Sequence, residues 1–406
     1  MKILLFTEIY DCGGIDTFIT NLINAWPDQT DSFIIISNFD YPGLKIIESK
    51  LNREVHIVKY NIKNYDNFKF EINKLNILKR YLSPIFKYLY MIYVVINLKQ
   101  ILIPLCGDIL MIINGGFPAG ETCRAASIAW GLFSRKTKSI HNFHNLATKA
   151  PWHSMIQENI LDLLVSKCTW KFITVSAAAA KSMCLRPVIN DRNRVEYIHN
   201  GIVEPSLVKA RSISIRDEIG ITQNTPLCLM LGTYETRKGH YFLLSAFKKV
   251  LLNIPNAHLL ICGFGFPNEI KLVSKYVNDF ELDGCVHLMG FRNDVSNLLV
   301  NSDVLVVASQ DYESFGFTSI EAMAHKVPVV ATNAGGIPEV VIDGYGGYCI
   351  DKENVDLYAN YISVLLNDSN LRERQGMLGY DRYLSNFSAK TMALKYYNFI
   401  NEAFNS

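Results

Sequence analysis

Short apolar runs alternate with helix-period segments along almost the whole chain, and this alternation limits the possible folds more than any other feature. Short apolar runs bounded by turn residues predict buried strands, and the amphipathic segments between them predict crossover helices. Strands are predicted at 2–7, 32–37, 55–58, 108–113, 138–144, 172–176 and 195–199, and again at 227–231, 258–262, 285–289, 304–308, 327–331 and 347–350. The pattern is typical of α/β proteins with parallel sheets.

A polar, poorly periodic stretch at 201–225 interrupts the alternation and predicts a linker between two domains. The length of 406 residues suits two domains of similar size. We place one Rossmann-like domain at 1–205 and a second at 206–388, followed by a helix at 389–404. Doubly wound sheets bind ligands at the carboxyl ends of their strands. The predicted fold is therefore α/β, with two doubly wound domains facing a cleft.

Charge and cysteine usage exclude several functional classes. The 40 Lys and Arg residues against 38 Asp and Glu leave a net charge of +2, which is too balanced for a nucleic-acid-binding protein. The nine cysteines include no C-x-x-C pair, which argues against a disulfide framework and a structural zinc site. The apolar run at the N-terminus is too short for a signal peptide. We expect a cytoplasmic protein.

Residues 68–106 mix lysines with tyrosines, phenylalanines and aliphatic residues. The longest uncharged stretch, 88–98, is shorter than the ~20 residues of a spanning helix. Basic residues interleaved with aromatic ones are typical of a helix lying on a membrane surface. An ordinary amphipathic helix packed on a sheet fits equally well. Both alternatives stay open: a purely cytoplasmic chain, or one in peripheral contact with the anionic inner face of the cell membrane.

The strand at 304–308 leads into a loop and a helix start that carry two acids, Glu313 and Glu321. Backbone N–H groups of Phe315 and Gly316 at this helix start suit a phosphate group. Carboxylates accept hydrogen bonds from hydroxyl groups, so the two acids suit a sugar and a ribose. Two acids at a helix start are also common on a solvated first turn.

Cations and glycines follow two other predicted strands. Arg237 and Lys238 come after the strand at 227–231, where a guanidinium fork and an ammonium group would suit a diphosphate. Gly13 and Gly14 come after the first strand and permit close approach of a ligand to the backbone. Each feature alone also fits a plain helix start or a tight turn.

Together these segments resemble the retaining glycosyltransferases of family four, which have the two-domain GT-B fold. The resemblance covers nearly the whole chain and its parts stand in this order: Gly13-Gly14, Thr174-Val175-Ser176, Ile198-His199-Asn200-Gly201, Lys238-Gly239, Gly263-Phe264-Gly265, Gly290, Ser302-Asp303-Val304, the E-x7-E pair Glu313 and Glu321, Pro328-Val329-Val330-Ala331, and Gly335-Gly336-Ile337-Pro338-Glu339. The E-x7-E pair with the trailing Gly-Gly-x-Pro-Glu is the most specific part.

The resemblance implies a hexosyltransferase that moves a sugar from a UDP- or GDP-sugar to a saccharide or lipid-linked saccharide acceptor. Glu313 would hold the donor sugar, Glu321 the ribose and Lys238 the diphosphate. Gly13 and Gly14 would let their loop close over the donor. The helix at 389–404 would pack back on the first domain.

The family needs no metal or other cofactor, so charge on the leaving diphosphate would be neutralised by Arg237, Lys238 and helix N-termini. No carboxylate stands out as a nucleophile, and the resemblance favours front-face transfer, in which the leaving phosphate takes the acceptor proton. One position departs from the family pattern. An arginine often follows the strand-end glycine, where this chain has Gly232-Thr233-Tyr234-Glu235.

The family also places a histidine near the anomeric carbon. His141 and His144 at the end of the strand at 138–144 are the candidates, and residues three apart on a strand point to opposite faces. His144 lies nearer the carboxyl end of the strand and is the preferred candidate. Purely structural roles for both histidines are the alternative.

Abundant Ile, Asn, Tyr and Lys suggest an AT-rich gene, which is common in bacterial clusters for capsule or O-antigen synthesis. Two other functions fit the same fold. One is a nucleotide-sugar epimerase, and the other is a degenerate transferase that binds nucleotide as a partner subunit. Donor turnover separates them, because an epimerase yields a new nucleotide sugar and a binding subunit yields nothing.

Overall fold

The computed structural model describes residues 1–62, 65, 79–118, 120–134, 136–189, 194–205 and 214–405. The chain divides into two compact units, one comprising Met1–His199 with Met392–Ser406 and the other Asn200–Thr391. The sequence analysis placed this boundary between 205 and 206, slightly later in the chain. The predicted α/β class is confirmed, since each unit is built on one parallel sheet.

The first unit contains a seven-stranded parallel sheet in the order β3-β2-β1-β4-β5-β6-β7. Its strands are β1 Lys2–Thr7, β2 Ser32–Asn38, β3 His56–Tyr60, β4 Ile109–Asn114, β5 Ser139–Phe143, β6 Thr169–Thr174 and β7 Val195–Tyr197. Its helices are α1 Gly14–Asn24, α2 Leu44–Lys50, α3 Lys79–Leu102, α4 Glu121–Phe133, α5 Met155–Cys168 and α6 Ala177–Ser182.

The second unit contains a six-stranded parallel sheet in the order β10-β9-β8-β11-β12-β13. Its strands are β8 Leu227–Leu231, β9 His258–Cys262, β10 Val286–Met289, β11 Val304–Val307, β12 Val329–Thr332 and β13 Gly347–Ile350. Its helices are α7 Ile215–Glu218, α8 His240–Asn253, α9 Pro267–Asp279, α10 Val295–Val300, α11 Phe317–Ala324, α12 Ile337–Val340, α13 Val355–Asn367 and α14 Ser369–Arg382.

The last helix, α15 Ala389–Asn405, contributes to the core of the first unit. From Met392 onward its residues belong to that unit, and Tyr396 and Ile400 are fully buried beside Ile3 and Phe18. The Tyr396 hydroxyl accepts a hydrogen bond from Asn142 Nδ2 at 2.9 Å. The C-terminal segment thus packs on the N-terminal sheet, as the family resemblance implied.

Strand β1 shows why the first sheet forms. Ile3 and Leu5 lie in the apolar cluster on one face, and Leu4 and Phe6 lie in the cluster on the other. Because successive side chains alternate between faces, a strand buried on both sides must be apolar throughout. The uninterrupted apolar run at the N-terminus is therefore a central strand.

Helix α3 falls within the segment 68–106, of which residues 68–78 lie outside the described part of the chain. Tyr90, Val94 and Leu98 are buried in the core of the first unit, whereas Ile92 and Ile96 are exposed. The window Phe86–Leu105 is long and apolar enough to span a bilayer by length and composition, with 33% of it buried, a test that core helices also meet. The window is longer than the uncharged stretch 88–98 because it also includes Lys87 and Lys99, so the expectation that the segment is too short to span a bilayer is not met. Both alternatives drawn from the sequence remain compatible with this helix.

Candidate active site

The predicted donor residues of the second unit follow two adjacent strands. Strands β8 and β11 are neighbours in the parallel sheet, so the segments that follow them emerge at the same edge. After β8 the chain forms a short 3-10 turn, Thr236–Lys238, before α8 begins at His240. After β11 it forms the loop that carries Glu313 and then enters α11. The carboxyl edge of this sheet therefore brings together residues from distant parts of the sequence.

Glu313 and Lys238 form an ion pair at this edge, with 2.5 Å between Lys238 Nζ and Glu313 Oε2. The same carboxylate oxygen accepts a hydrogen bond from Ser309 Oγ at 3.2 Å and lies 3.8 Å from Arg237 Nη1. The side chains of Lys238 and Glu313 are 17% and 18% exposed, so both can reach a ligand. The structure thus places two predicted residues, Lys238 and Arg237, beside one oxygen atom of a third, Glu313.

Arg237 has a second acidic partner, which the sequence analysis did not identify. Its Nε lies 2.5 Å from Glu235 Oε2, and its guanidinium lies 5.2 Å from the centre of the Tyr312 ring. The sequence signal for this pair is the opposite charge of Glu235 and Arg237, which stand two residues apart in the same loop. Glu235 therefore orients Arg237 and offsets part of its charge.

Two glycines hold these loops in place. Gly335 has a φ of +56°, and a Cβ there would lie 2.2 Å from the carbonyl oxygen of Glu313, which accepts a hydrogen bond from the Gly336 N–H at 2.7 Å. Gly239 has a φ of +76°, and a Cβ there would lie 1.9 Å from the carbonyl oxygen of Ala308. Only glycine fits at either position, so the loops pack backbone against backbone.

Glu321 lies on α11 in a different environment from Glu313. It is half-buried, and burial raises the pKa of its carboxyl to about 7. No Lys or Arg side chain among the described residues forms an ion pair with it. A carboxyl that is poorly solvated and lacks a cation is suited to accept hydrogen bonds from neutral hydroxyl groups of a ligand.

Phe315 and Gly316 define the start of α11. Phe315 is 2% exposed and packs edge-on against Phe317 and Phe387, with ring centres 5.7 and 5.8 Å apart. Gly316 has a φ of +101° and is the N-cap of the helix. The aromatic side chain therefore anchors the loop, and the backbone of this segment is the part suited to a phosphate.

Tyr234 occupies the loop in which the family often has an arginine. It is 2% exposed, and its hydroxyl donates to the carbonyl oxygens of Met289 at 2.9 Å and Ile261 at 3.2 Å. Both contacts tie the loop after β8 to the neighbouring strands β9 and β10. Tyr234 is therefore a structural residue, and Arg237 is the guanidinium of this loop.

Gly13 and Gly14 lie at the start of α1 in the first unit. The N–H of Gly13 donates to Asp16 Oδ2 at 2.9 Å, which caps the helix, and Asp16 Oδ1 accepts a hydrogen bond from the Tyr41 hydroxyl. A Cβ on Gly13 would meet no atom within 4 Å. Packing within the chain therefore does not require a glycine at position 13.

His144 follows β5 in the same unit and is half-buried. Its ring lies 4.3 Å from that of Phe18, and neither ring nitrogen has a hydrogen-bond partner among the described residues. Burial lowers the pKa of His144 to about 3, so the ring is neutral. His141 is fully buried and contacts Asn114 Nδ2 at 3.1 Å, so it has a structural role.

Among the residues that the structure describes, no three or more His, Cys, Asp and Glu side chains are grouped so that they could hold a metal ion. The ligands that the described site offers are instead two carboxylates, two cations and the N-terminus of α11.

Comparison with known protein families gives a match within the second unit. Residues 212–382 match the family described as glycosyl transferases group 1. This segment belongs to the group 1 glycosyltransferases. It contains every donor-site residue described above for the second unit, and it confirms the family resemblance drawn from the sequence.

Two curated glycosyltransferases are among the similar sequences. N-acetyl-alpha-D-glucosaminyl L-malate synthase of Bacillus anthracis is 26% identical over 209 residues, which cover 52% of this chain and 54% of the relative. UDP-Gal:alpha-D-GlcNAc-diphosphoundecaprenol alpha-1,3-galactosyltransferase of Escherichia coli is 25% identical over 235 residues, which cover 57% and 59%. The chain thus spans less than two thirds of the length of these relatives.

Solved structures match over nearly the whole chain. Anabaena HepE in complex with UDP has a TM-score of 0.75 at 17% identity, covering 99% of this chain and 100% of HepE. A glycosyltransferase from Rickettsia africae has a TM-score of 0.76 at 19% identity, covering 99% and 98%. At this identity the likeness shows the fold, which is the GT-B fold of the group 1 glycosyltransferases.

Proposed function

We propose that the chain transfers a sugar from a UDP-sugar to a saccharide acceptor that is linked to a lipid. The observation that carries this proposal is the carboxyl edge of the second sheet, where Lys238 and Arg237 lie beside Glu313 while Glu321 has no ion pair within the part of the chain that the structure describes. Cations for a diphosphate and carboxylates for hydroxyl groups are the two kinds of group that a nucleotide sugar requires. UDP is favoured over GDP because HepE was solved with UDP.

We assign the roles as follows. The ammonium of Lys238 donates to the diphosphate, and Arg237 and the N-terminus of α11 add positive charge. Glu321 accepts hydrogen bonds from the ribose, and Glu313 accepts them from the donor sugar. His144 of the first unit, which is neutral, would lie near the reacting carbon, and the Gly13-Gly14 loop would cover the donor.

The reaction is proposed to retain configuration and to need no metal. The bond between the anomeric carbon and the diphosphate oxygen breaks, and the acceptor oxygen bonds to the same face of that carbon. The proton of the acceptor hydroxyl passes to the leaving diphosphate oxygen. Positive charge from Lys238 and Arg237 stabilises the diphosphate as it leaves.

The relative from E. coli is named for a diphosphoundecaprenol-linked acceptor, which supports a lipid-linked acceptor for this chain. We place the reaction in bacterial surface polysaccharide synthesis, of the capsule or O-antigen type. The chain would work in the cytoplasm, in peripheral contact with the inner face of the cell membrane.

The proposal is tested by incubating the chain with UDP-sugars and bacterial lipid extract and measuring UDP release and labelled lipid. Transfer should occur with one UDP-sugar and be lost in Glu313→Gln, whereas the exposed acid of the same loop, varied in Asp311→Asn, should leave it unchanged. A new nucleotide sugar formed without acceptor would indicate an epimerase. No turnover with any donor would indicate a binding subunit.

A further inference from the structure

Helix α5, Met155–Cys168, buries two acids beside Leu161 and Val165 on its inner face and exposes a row of apolar residues on its outer face. Its acids Glu158 and Asp162 are 4% and 0% exposed, whereas Ile156 is 76% exposed. Trp152, just before the helix, is 88% exposed. The apolar stripe of α5 consists of Trp152, Met155, Ile156, Ile160, Leu163 and Leu164, all of them exposed. Surface helices normally bury such residues and expose their acids, so both faces of α5 need an explanation.

The inward acids are paired with buried cations of the first unit. Glu158 lies 2.8 Å from Lys87 Nζ, 2.8 Å from Arg124 Nη1 and 3.1 Å from Arg186 Nη2. Burial opposes ionisation of Glu158, but Arg124 and Lys87 hold its pKa at about 2. Asp162 lies 3.3 Å from Arg186 Nη1. Lys87 Nζ and Arg124 Nη2 also lie 3.5 and 3.6 Å from Glu121 Oε1, so three acids face these three cations. Positive charge in excess comes from Lys149, which lines the adjacent cavity.

A cavity of about 640 Å³ opens beside this cluster, at the first turns of α4 and α5. Four cationic side chains line it, Lys87, Arg124, Lys149 and Arg186, against the two acids Glu121 and Glu158. Arg124 and Arg186 are 2% and 1% exposed, and the Nε of each has no hydrogen-bond partner among the described residues. Oxygens of Glu121 and Asp162 in the same cluster also lack a hydrogen-bond partner among the described residues. The lining still carries more cations than acids, and its unpartnered guanidinium N–H groups next to two helix N-termini favour an anion such as a phosphate group.

The cavity and the apolar stripe share one segment of chain. Pro151, His153, Ser154 and Gln157 line the cavity, and Trp152, Met155 and Ile156 alternate with them on the exposed side. A molecule that joins a phosphate to an apolar chain can occupy both at once. A protein partner or a second copy of the chain would cover the stripe without explaining the unpartnered guanidinium donors.

We propose that this cavity binds the phosphate or diphosphate group of the acceptor and that the apolar stripe of α5 binds the acceptor's hydrocarbon chain. The inference rests on the proposed function, because it names the part of the acceptor that the first unit recognises. The cavity volume lies in the range of small-molecule sites and leaves room for a sugar beside the phosphate.

Three probes separate the two halves of the proposed site: geranyl diphosphate, inorganic diphosphate and geraniol. They are titrated calorimetrically onto the full chain with UDP at saturation, so that the diphosphate site of the second unit is already filled. If UDP alone does not bind, the proposed function fails. In that case the probes are titrated onto Lys238→Ala, in which the diphosphate site of the second unit is weakened. Failure of the proposed function and failure of the cavity site can then be told apart.

Two variants at exposed positions test the site without disturbing the buried cluster. Lys149→Gln should weaken both diphosphates by about fivefold or more, since a charged hydrogen bond is lost. Its control is Lys167→Gln, at an exposed lysine of α5 that does not line the cavity. Ile156→Ser should weaken geranyl diphosphate by about fivefold and leave inorganic diphosphate unchanged. Its control is Leu132→Ser, at a residue of α4 that is 62% exposed.

The result that supports the inference is tightest binding of geranyl diphosphate, with each variant weakening only the probes named for it. Equal binding of geraniol and geranyl diphosphate would overturn it, as would equal effects of each variant and its control. Sedimentation showing a dimer that Ile156→Ser dissociates would make the stripe a subunit interface and would also overturn it.

Discussion

The two acids of the E-x7-E pair are both glutamates, but they lie in different surroundings. Glu313 shares one oxygen between Lys238 and Ser309, whereas Glu321 is half-buried and forms no ion pair with a Lys or Arg of the described segments. A carboxylate held by an ammonium group is fixed in place. One without a cation gains most from hydroxyl groups supplied by a ligand. This difference predicts different consequences when each acid is removed.

The raised pKa of Glu321 makes nucleotide binding depend on pH. Only the ionised carboxylate accepts hydrogen bonds with both oxygens, and its pKa is about 7. The affinity for UDP should therefore rise as the pH increases from 6 to 8. Calorimetric titration of wild type and Glu321→Gln isolates this effect, because titration of the UDP phosphate is common to both. Parallel pH profiles for the two proteins would contradict the assignment.

Lys238 and Glu313 are expected to separate binding from turnover. Lys238→Ala should weaken UDP about tenfold to a hundredfold, since a charged hydrogen bond contributes ~1.5–3 kcal/mol. Glu313→Ala should leave UDP affinity within about threefold and abolish sugar transfer. Lys271→Ala, at an exposed position of α9, is the control for the loss of one positive charge. Normal transfer by Glu313→Ala would refute its role.

Gly13 and Gly335 allow a comparison between a glycine that packing within the chain does not require and one that it does. A Cβ at Gly13 meets nothing within 4 Å, so Gly13→Ala should leave the melting temperature unchanged while weakening the UDP-sugar or slowing transfer. Gly335→Ala should lower the melting temperature, because its Cβ would lie 2.2 Å from the carbonyl oxygen of Glu313. Full activity in Gly13→Ala would show that no ligand approaches that glycine.

At the level of elements, the strands were predictable and the cross-element contacts were not. Strands β1, β8, β9 and β13 begin and end at the predicted residues, because apolar runs bounded by polar or turn residues define them locally. The cluster around Glu158 joins residues of α3, α4 and α5 with Arg186, and their packing depends on the folded layer. Sequence periodicity carries no signal for such a cluster, nor for Ser309 beside Glu313.

Helix α3 permits a test of membrane contact. Ile92 and Ile96 are 56% and 49% exposed, and Lys99 is exposed on the same helix. The chain should float with anionic vesicles at low salt and be released by salt, since screening weakens attraction between lysines and lipid headgroups. The double variant Ile92→Ser, Ile96→Ser should float less than Val300→Ser, which changes a 54% exposed residue of the second unit. Absence of wild type from the vesicle fraction at low salt would contradict membrane contact.

At the scale of the whole molecule, the two units differ in whether their candidate sites can be recognised from sequence motifs. The second unit contains the family segment 212–382, and its candidate donor residues lie in motifs that can be read individually from the sequence. The first unit contains the buried cations and the apolar stripe of α5, which have no counterpart among the motifs of the sequence. Because of this division, the proposed donor rests on sequence motifs, whereas the proposed acceptor rests on the cavity and surface of the first unit.

The central claim is that the carboxyl edge of the second sheet binds a nucleoside diphosphate through Lys238 and Glu321. Calorimetric titration with UDP, GDP, ADP and CMP, on wild type and Glu321→Ala, tests it most directly. We predict that UDP binds clearly better than the others and that Glu321→Ala weakens it about tenfold or more. No binding at millimolar concentration, or equal binding by Glu321→Ala, would contradict the claim.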